Sequence, residues 1–281
     1  KMKAPAMASG GGSAVAWDVG GTELDVVGAD GEQLALTAGE NEPFISATLN
    51  SRGWLAVTSQ KTNYKGAVSV YNDKMQLVFT FNSSQRFVTD ACVTGDCRYL
   101  AAVTLGQEDS VFVSNIVLYD LTETKPAADY DVKDGLTLAI GEVDSRIATV
   151  SDRNLTFGTV SGKAAATYDY TGGYLREYDL SGDGCAVLLL GRYSSGSAGR
   201  LVTVGADGKE IASLDVSDEV LGVSASGRYL AVLYADRCVI YTQQLKEYAV
   251  RTGTDYAKSV LMRSDGSALL VASGHTTLFL P

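Results

Sequence analysis

The residues with the means to do chemistry are few. One histidine, His275, lies in Ser273-Gly274-His275-Thr276-Thr277. A single imidazole excludes metal sites assembled from several histidines, and a Ser/His/Asp hydrolase would need it to meet a serine and an acid in space. No Gly-x-Ser-x-Gly elbow is present, and the stretch 191–197 (Gly-Arg-Tyr-Ser-Ser-Gly-Ser) reads as a flexible strand connection. His275 is accordingly assigned to a turn. Gly10-Gly11-Gly12 lacks the Lys-Ser/Thr that a phosphate cradle places after its glycines. Asp179-Leu180-Ser181-Gly182-Asp183-Gly184 echoes a calcium loop without its twelfth-position ligand, which leaves plain turn chemistry. Cys92 and Cys97 flank a turn-like Val93-Thr94-Gly95-Asp96. They are either a cross-hairpin disulfide or two reduced strand thiols, because one register step decides whether the Cα separation permits a bond. Cys185 and Cys238 read as small apolar residues. No catalytic residue, metal ligand or cofactor is predicted.

The chain has 33 acidic and 23 basic residues and a net charge of −10, which argues against nucleic acid or an anionic membrane surface as its main partner. No run approaches the ~18 apolar residues of a membrane span, and residues 1–13 contain no apolar stretch of signal-peptide length. With 46% hydrophobic and 20% charged residues, 30 glycines and 4 prolines, the composition fits a folded protein of short strands and tight turns with almost no helix.

What positions these residues is a repeat. A polar turn followed by a Leu-Ala-Val type of run recurs, most clearly as Asn50-Ser51-Arg52-Gly53-Trp54-Leu55-Ala56-Val57, as Ala225-Ser226-Gly227-Arg228-Tyr229-Leu230-Ala231-Val232 and as Arg263-Ser264-Asp265-Gly266-Ser267-Ala268-Leu269-Leu270. Further copies turn at Gly10, Cys97, Ser145 and Gly184, so the spacing is roughly 39 to 48 residues, the period of a four-strand propeller blade. Each period also holds a hairpin, as in Val202-Thr203-Val204-Gly205-Ala206-Asp207-Gly208-Lys209-Glu210-Ile211, where Gly accepts the positive φ of the turn. Four strands, A to D, per period make one blade. One such sheet cannot bury both faces, whereas radial stacking does. The expected fold is therefore an all-β propeller, a single domain over 1–281, with seven blades at about 1–43, 44–87, 88–134, 135–173, 174–219, 220–255 and 256–281. Six or eight blades stay open, because the first copy is degenerate and the last stops after strand C. The missing outer strand is either absent or supplied by the N-terminus.

The Ser-x-Asp-Gly-x-x-Leu-Ala-Val and x-Val-x-Asp-x-Asp-Gly-Lys-Glu pattern resembles WD40-like and quinoprotein-like propeller repeats of bacterial extracytoplasmic proteins along essentially the whole chain. It departs from true WD40 repeats, since Trp17-Asp18 is the only Trp-Asp pair and no Gly-His pair accompanies it. The chain is most similar to an uncharacterised family of bacterial membrane-anchored proteins in which one membrane span precedes an extracytoplasmic propeller. That resemblance implies an extracytoplasmic location and an anchor ahead of the segment given.

Function is then expected on loops carried by a rigid scaffold. The longest connections from strand B to strand C are placed at 59–66, 105–110 and 191–199, and the candidate contact residues are Tyr64, Lys65, Glu108, Asp109, Arg192 and Tyr193. Tyr71, Tyr99, Tyr119, Tyr229 and Tyr241 fall inside predicted strands and are assigned to packing. The leading reading is a non-catalytic, monomeric binding, sensor or scaffold ectodomain that presents one loop face to a protein or cell-surface glycan. The alternative is a carbohydrate-active hydrolase or lyase with a carboxylate pair at the central channel, at least one member having a raised pKa.

Overall fold

The computed structural model describes residues 2–132, 135–193 and 195–281, so the boundary proposed at residue 134 and Ser194 of the 191–199 connection lie outside the described residues. Among the described residues there are only strands, turns and loops, and no helix is long and apolar enough to cross a membrane.

The strands are, in chain order, β1 (Pro5–Gly10), β2 (Ser13–Asp18), β3 (Glu23–Gly28) and β4 (Gly31–Thr37), then β5 (Phe44–Leu49), β6 (Leu55–Ser59), β7 (Gly66–Tyr71) and β8 (Leu77–Ser83). They continue as β9 (Phe87–Val93), β10 (Tyr99–Glu108), β11 (Val111–Asp120), β12 (Ala128–Val132), β13 (Thr137–Val143), β14 (Arg146–Ser151), β15 (Asn154–Thr159) and β16 (Lys163–Asp169). The remainder are β17 (Tyr174–Gly182), β18 (Cys185–Gly191), β19 (Gly199–Gly205), β20 (Glu210–Val216), β21 (Val220–Ser226), β22 (Tyr229–Tyr234), β23 (Arg237–Thr242), β24 (Glu247–Thr252), β25 (Ser259–Met262), β26 (Ala268–Val271) and β27 (Thr276–Phe279). Consecutive strands pair up and down into six four-stranded sheets and one three-stranded sheet, β25-β26-β27. The fold is an all-β, seven-bladed β-propeller.

The chain divides into two compact units, one running to Ser151 with Gly158–Ala164, the other Asp152–Phe157 with Ala165–Pro281. In the first, the second strands of the blades send alternate side chains to opposite faces, as a strand must. Leu100 and Ala102 join Val68, Val70, Val88 and Tyr119 in one core cluster, while Ala101 and Val103 join Ile116, Ile140 and Ile147 in the next. Phe79 and Phe81 tilt onto the Tyr119 ring at 5.5 and 4.8 Å. The second unit repeats the scheme, with Leu230 and Val232 packed among Val187, Leu189 and Leu201, and Ala231 and Leu233 among Val260, Met262 and Leu270. Each valine, leucine, isoleucine or methionine so buried contributes about 1.5 to 3 kcal/mol, and each alanine less.

One expectation is corrected, and one alternative that the sequence left open is decided. Residues 105–110 are not a loop: β10 and β11 pair to the tip, Glu108 opposite Val111, around a two-residue turn, Asp109-Ser110, with φ of 47° and 68°. The loop reading rested on Gly106 and a polar run, but a two-residue turn with both φ positive matches strand twist and lets the ribbon continue. Among the described residues, β1 pairs with β2 at one edge of the first sheet, and β27 pairs with β26 in the last. Finally, Cys92 and Cys97 are not bonded. Cys92 points into the cluster with Ile140 and Ile147, whereas the Cys97 thiol, at a turn residue with φ of 62°, accepts a hydrogen bond from Asn50 Nδ2 at 3.3 Å. The two sulfurs leave different sides of the sheet.

Candidate functional site

In the first unit, two connections and one ribbon build an exposed surface. Tyr64 and Lys65 occupy the loop between β6 and β7, as expected, and Lys65 Nζ lies 4.8 Å above the ring of Phe87 at the start of β9. The neighbouring Arg86 reaches the ribbon, where its Nη1 pairs with Glu108 Oε1 at 3.1 Å and its Nη2 donates to the Val113 carbonyl at 2.6 Å. That approach depends on Gly106, because a Cβ there would stand 2.6 Å from the guanidinium. The ribbon outruns its sheet. Among the described residues, β9 pairs with β10 as far as Leu105 opposite Phe87 and β12 with β11 from Ser114, so 106–113 are held there as two strands. Register places Phe87, Leu105, Gln107 and Phe112 on one side of this extension and Arg86, Glu108 and Val111 on the other. Val111 and Phe112 are 63% and 64% exposed, and Phe87 at the start of β9 and Tyr64 in the loop before β7 are exposed as well.

Of the six candidate residues, then, Lys65 reaches Phe87 on one side of the ribbon and Glu108 pairs with Arg86 on the other, with Asp109 at the ribbon tip and Tyr64 beside Lys65. Phe87, Phe112, Val111 and Arg86 escaped the sequence reading. The alternation of Val111 and Val113 was the available signal, masked by the loop assignment.

Arg192 and Tyr193 belong to the second unit. Arg192 Nη2 pairs with Asp215 Oδ1 at 2.9 Å, and the Tyr193 carbonyl accepts from Arg176 Nη2 at 3.3 Å. Beside them a cavity of about 750 Å³ opens among Arg176, Leu189, Ser197, Asp218, Asp236 and Arg237. Arg237 bridges Asp218 (2.6 Å) and Asp236 (2.9 Å) while its guanidinium lies 4.3 Å from the Tyr234 ring centre. With one arginine between two aspartates, this charged trio keeps one negative charge in excess.

Acids with raised pKa do occur on inner strands. Burial pushes Asp90 of β9 up to about 6, opposed by the Ile140 and Ala91 amides that its carboxylate accepts at 3.1 and 2.9 Å. Glu142 of β13 is raised by burial and accepts from the Gly95 amide, and Asp179 of β17, raised by burial, accepts from Ala225 and Ser181 amides at 2.8 and 2.7 Å. In each case the carboxylate holds the backbone of an adjacent blade, where Ser224 Oγ does the same by accepting from Met262 N at 3.0 Å. Burial also pushes the Cys185 and Cys238 thiols up, to about 11 and about 12. His275 stacks on Tyr256 at 5.4 Å, and among the described residues no three His, Cys, Asp or Glu gather as a metal site.

No curated protein matches the chain in sequence. Among solved structures it is similar to Kuenenia stuttgartiensis hydrazine synthase (12% identity, 100% of this chain and 96% of that one, TM-score 0.66). It is also similar to a chain of the mitotic checkpoint complex (13%, 97% and 88%, TM-score 0.64) and to the RRP9 WD40 repeats (11%, 94% and 85%, TM-score 0.63). At these identities the likeness is one of fold, and it extends to WD40 propellers and to an enzyme component alike. Sequence places the chain more narrowly: matching over residues 1–277, it belongs to the Family of unknown function (DUF5711).

Proposed function

We propose that this chain is a non-catalytic binding module that recognises a protein through the projecting ribbon of its third blade. The observation that carries the reading is the two-stranded extension 106–113, which holds Val111 and Phe112 in solvent beyond the sheet. Apolar side chains at an exposed tip cost solubility and do nothing for the core, while aromatic groups on a rigid support are what protein interfaces use as anchors. Phe87 under Lys65, and Arg86 clamped to the ribbon, add an aromatic and cationic flank without loosening the scaffold. The exposed groups are apolar and aromatic more than hydrogen-bonding, which favours a protein over a glycan. The solved WD40 chains support this reading by analogy of fold only. Of the inner-strand acids with raised pKa, Asp90, Glu142 and Asp179 are engaged with backbone amides, while Glu177 of β17 is raised by burial and by the neighbouring Asp179. An extracytoplasmic, membrane-anchored setting is part of the same proposal and rests on the repeat resemblance.

The test is site-specific photocrosslinking in cells that make the protein, with the photoreactive residue at Phe112 or, as a control, at the exposed Tyr248 on β24. A discrete adduct at 112 alone is expected. Against the purified partner, Val111→Ser with Phe112→Ala should weaken binding at least about tenfold without moving the melting temperature. Equal crosslinking at both sites, or unchanged affinity, overturns the reading.

A further inference from the structure

The cavity of about 750 Å³ in the second unit falls within the size range of small-molecule sites, about 300 to 1,000 Å³. Its walls are tied together. Ser197 Oγ donates to the Ser217 carbonyl at 2.8 Å, which fastens the connection between β18 and β19 to the one between β20 and β21. Leu189 and Val220 give the lining an apolar part, and both belong to the core cluster of this unit.

The two arginines of the lining are placed differently. Arg237 is committed, since it holds Asp218 and Asp236 and packs on the Tyr234 ring. Arg176 is not. Among the described residues its guanidinium has one acceptor, the Tyr193 carbonyl at 3.3 Å, and no carboxylate. It lies against β18 because Gly191 has no side chain there, a Cβ on that residue meeting Arg176 Nε. A guanidinium carries its N–H donors in a flat fork that matches a carboxylate, so most of the capacity of Arg176 is left for whatever fills the cavity.

The acids come from the next blade. Arg176 stands on β17 of the fifth sheet, whereas Asp218 and Glu219 lie in the connection entering β21 and Asp236 in the turn between β22 and β23 of the sixth. Glu219 is exposed and, among the described residues, has no cation at ion-pair distance. Two arginines against three acids leave the lining one negative charge in excess. The complement of such a lining is a molecule with one anionic and two cationic groups, the anion on Arg176 and the cations shared by Glu219 and the aspartates that Arg237 does not fully neutralise.

We propose that this cavity binds a small dibasic amino acid, one carboxylate and two amines on an aliphatic body as in lysine, free or within a dipeptide. The aliphatic part packs on Leu189 and Val220. This site belongs to the second unit and the ribbon to the first, so either proposal can fail alone.

The probes are L-lysine and glycyl-L-lysine, titrated into the whole chain by isothermal calorimetry at low ionic strength. Norleucine, which lacks the side-chain amine, and cadaverine, which lacks the carboxylate, are the controls. Saturable binding of lysine or of the dipeptide is expected, with both controls at least about tenfold weaker. Whichever probe binds more tightly tells a free amino acid from a peptide as the source. Arg176→Gln should remove the advantage over cadaverine and keep the advantage over norleucine, while Glu219→Gln should do the reverse. Both side chains are exposed, so the two variants should melt where the wild type does. No saturable binding of lysine or the dipeptide overturns the proposal. So does a control that binds as well as the probes, or a pair of variants that leaves both ratios unchanged.

Discussion

At the scale of single residues, the turns between first and second strands show how much depends on which glycine is meant. Gly11 and Gly12 both have positive φ, but a Cβ on Gly11 would fall 2.0 Å from the backbone nitrogen of Gly53, while Gly12 faces open space. Gly12→Ala should therefore cost only the left-handed penalty of about 1 kcal/mol. Gly11→Ala adds overpacking between two backbones and should cost about 2 to 4 kcal/mol, read as the difference in urea midpoint. Asp90 makes a second residue-scale prediction. Its folded pKa of about 6 stands above the ordinary 3.8, so the native state holds the proton more tightly than the unfolded chain. The stability this confers is complete below about pH 4 and is lost as pH rises through 6, a change on the order of 2 to 3 kcal/mol. Asp90→Asn is neutral throughout, so the stability of wild type relative to this variant should fall by that amount between pH 4 and 7. A pH-independent difference would refute the assignment.

At the scale of elements, two copies of the repeat put a side chain where the others have glycine. Cys97 has φ of 62°, and Asp144-Ser145 form a two-residue turn between β13 and β14 with φ of 48° and 60°. Because the left-handed region crowds Cβ, Cys97→Gly and Ser145→Gly should each raise stability by about 0.5 to 1 kcal/mol after the added freedom of the unfolded chain is counted. Chemical denaturation at constant m-value checks this; destabilisation at either site would mean that the side chain earns its strain, for Cys97 through Asn50. These turns were legible as turns because polar residues before a Leu-Ala-Val run punctuate strands. The ribbon was not legible, since Gly106 and Gln107-Glu108-Asp109-Ser110 carry the composition of a loop, and only pairing to Val111, Phe112 and Val113 makes them strand.

At the scale of the whole molecule, a net charge of −10 and the absence of a basic cluster in the sequence direct attention away from phosphate backbones. Location gives the prediction proper to this scale. If the propeller lies outside the cytoplasmic membrane, protease added to intact spheroplasts should degrade it while a cytosolic marker survives. Protection until the membrane is lysed would place it inside.

The sequence by itself determined the repeat, its period and the strand-turn chemistry, because alternation and left-handed turn residues are local properties that each copy states again. It also indicated that no histidine-based or phosphate-cradle chemistry was available. Only the tertiary structure decided that Cys92 and Cys97 face apart, that Asp90, Glu142 and Asp179 serve the backbone of adjacent blades, and that Arg86 braces a ribbon bearing Phe112. Each of these depends on register and on contacts between residues more than ten positions apart, which composition and periodicity do not encode.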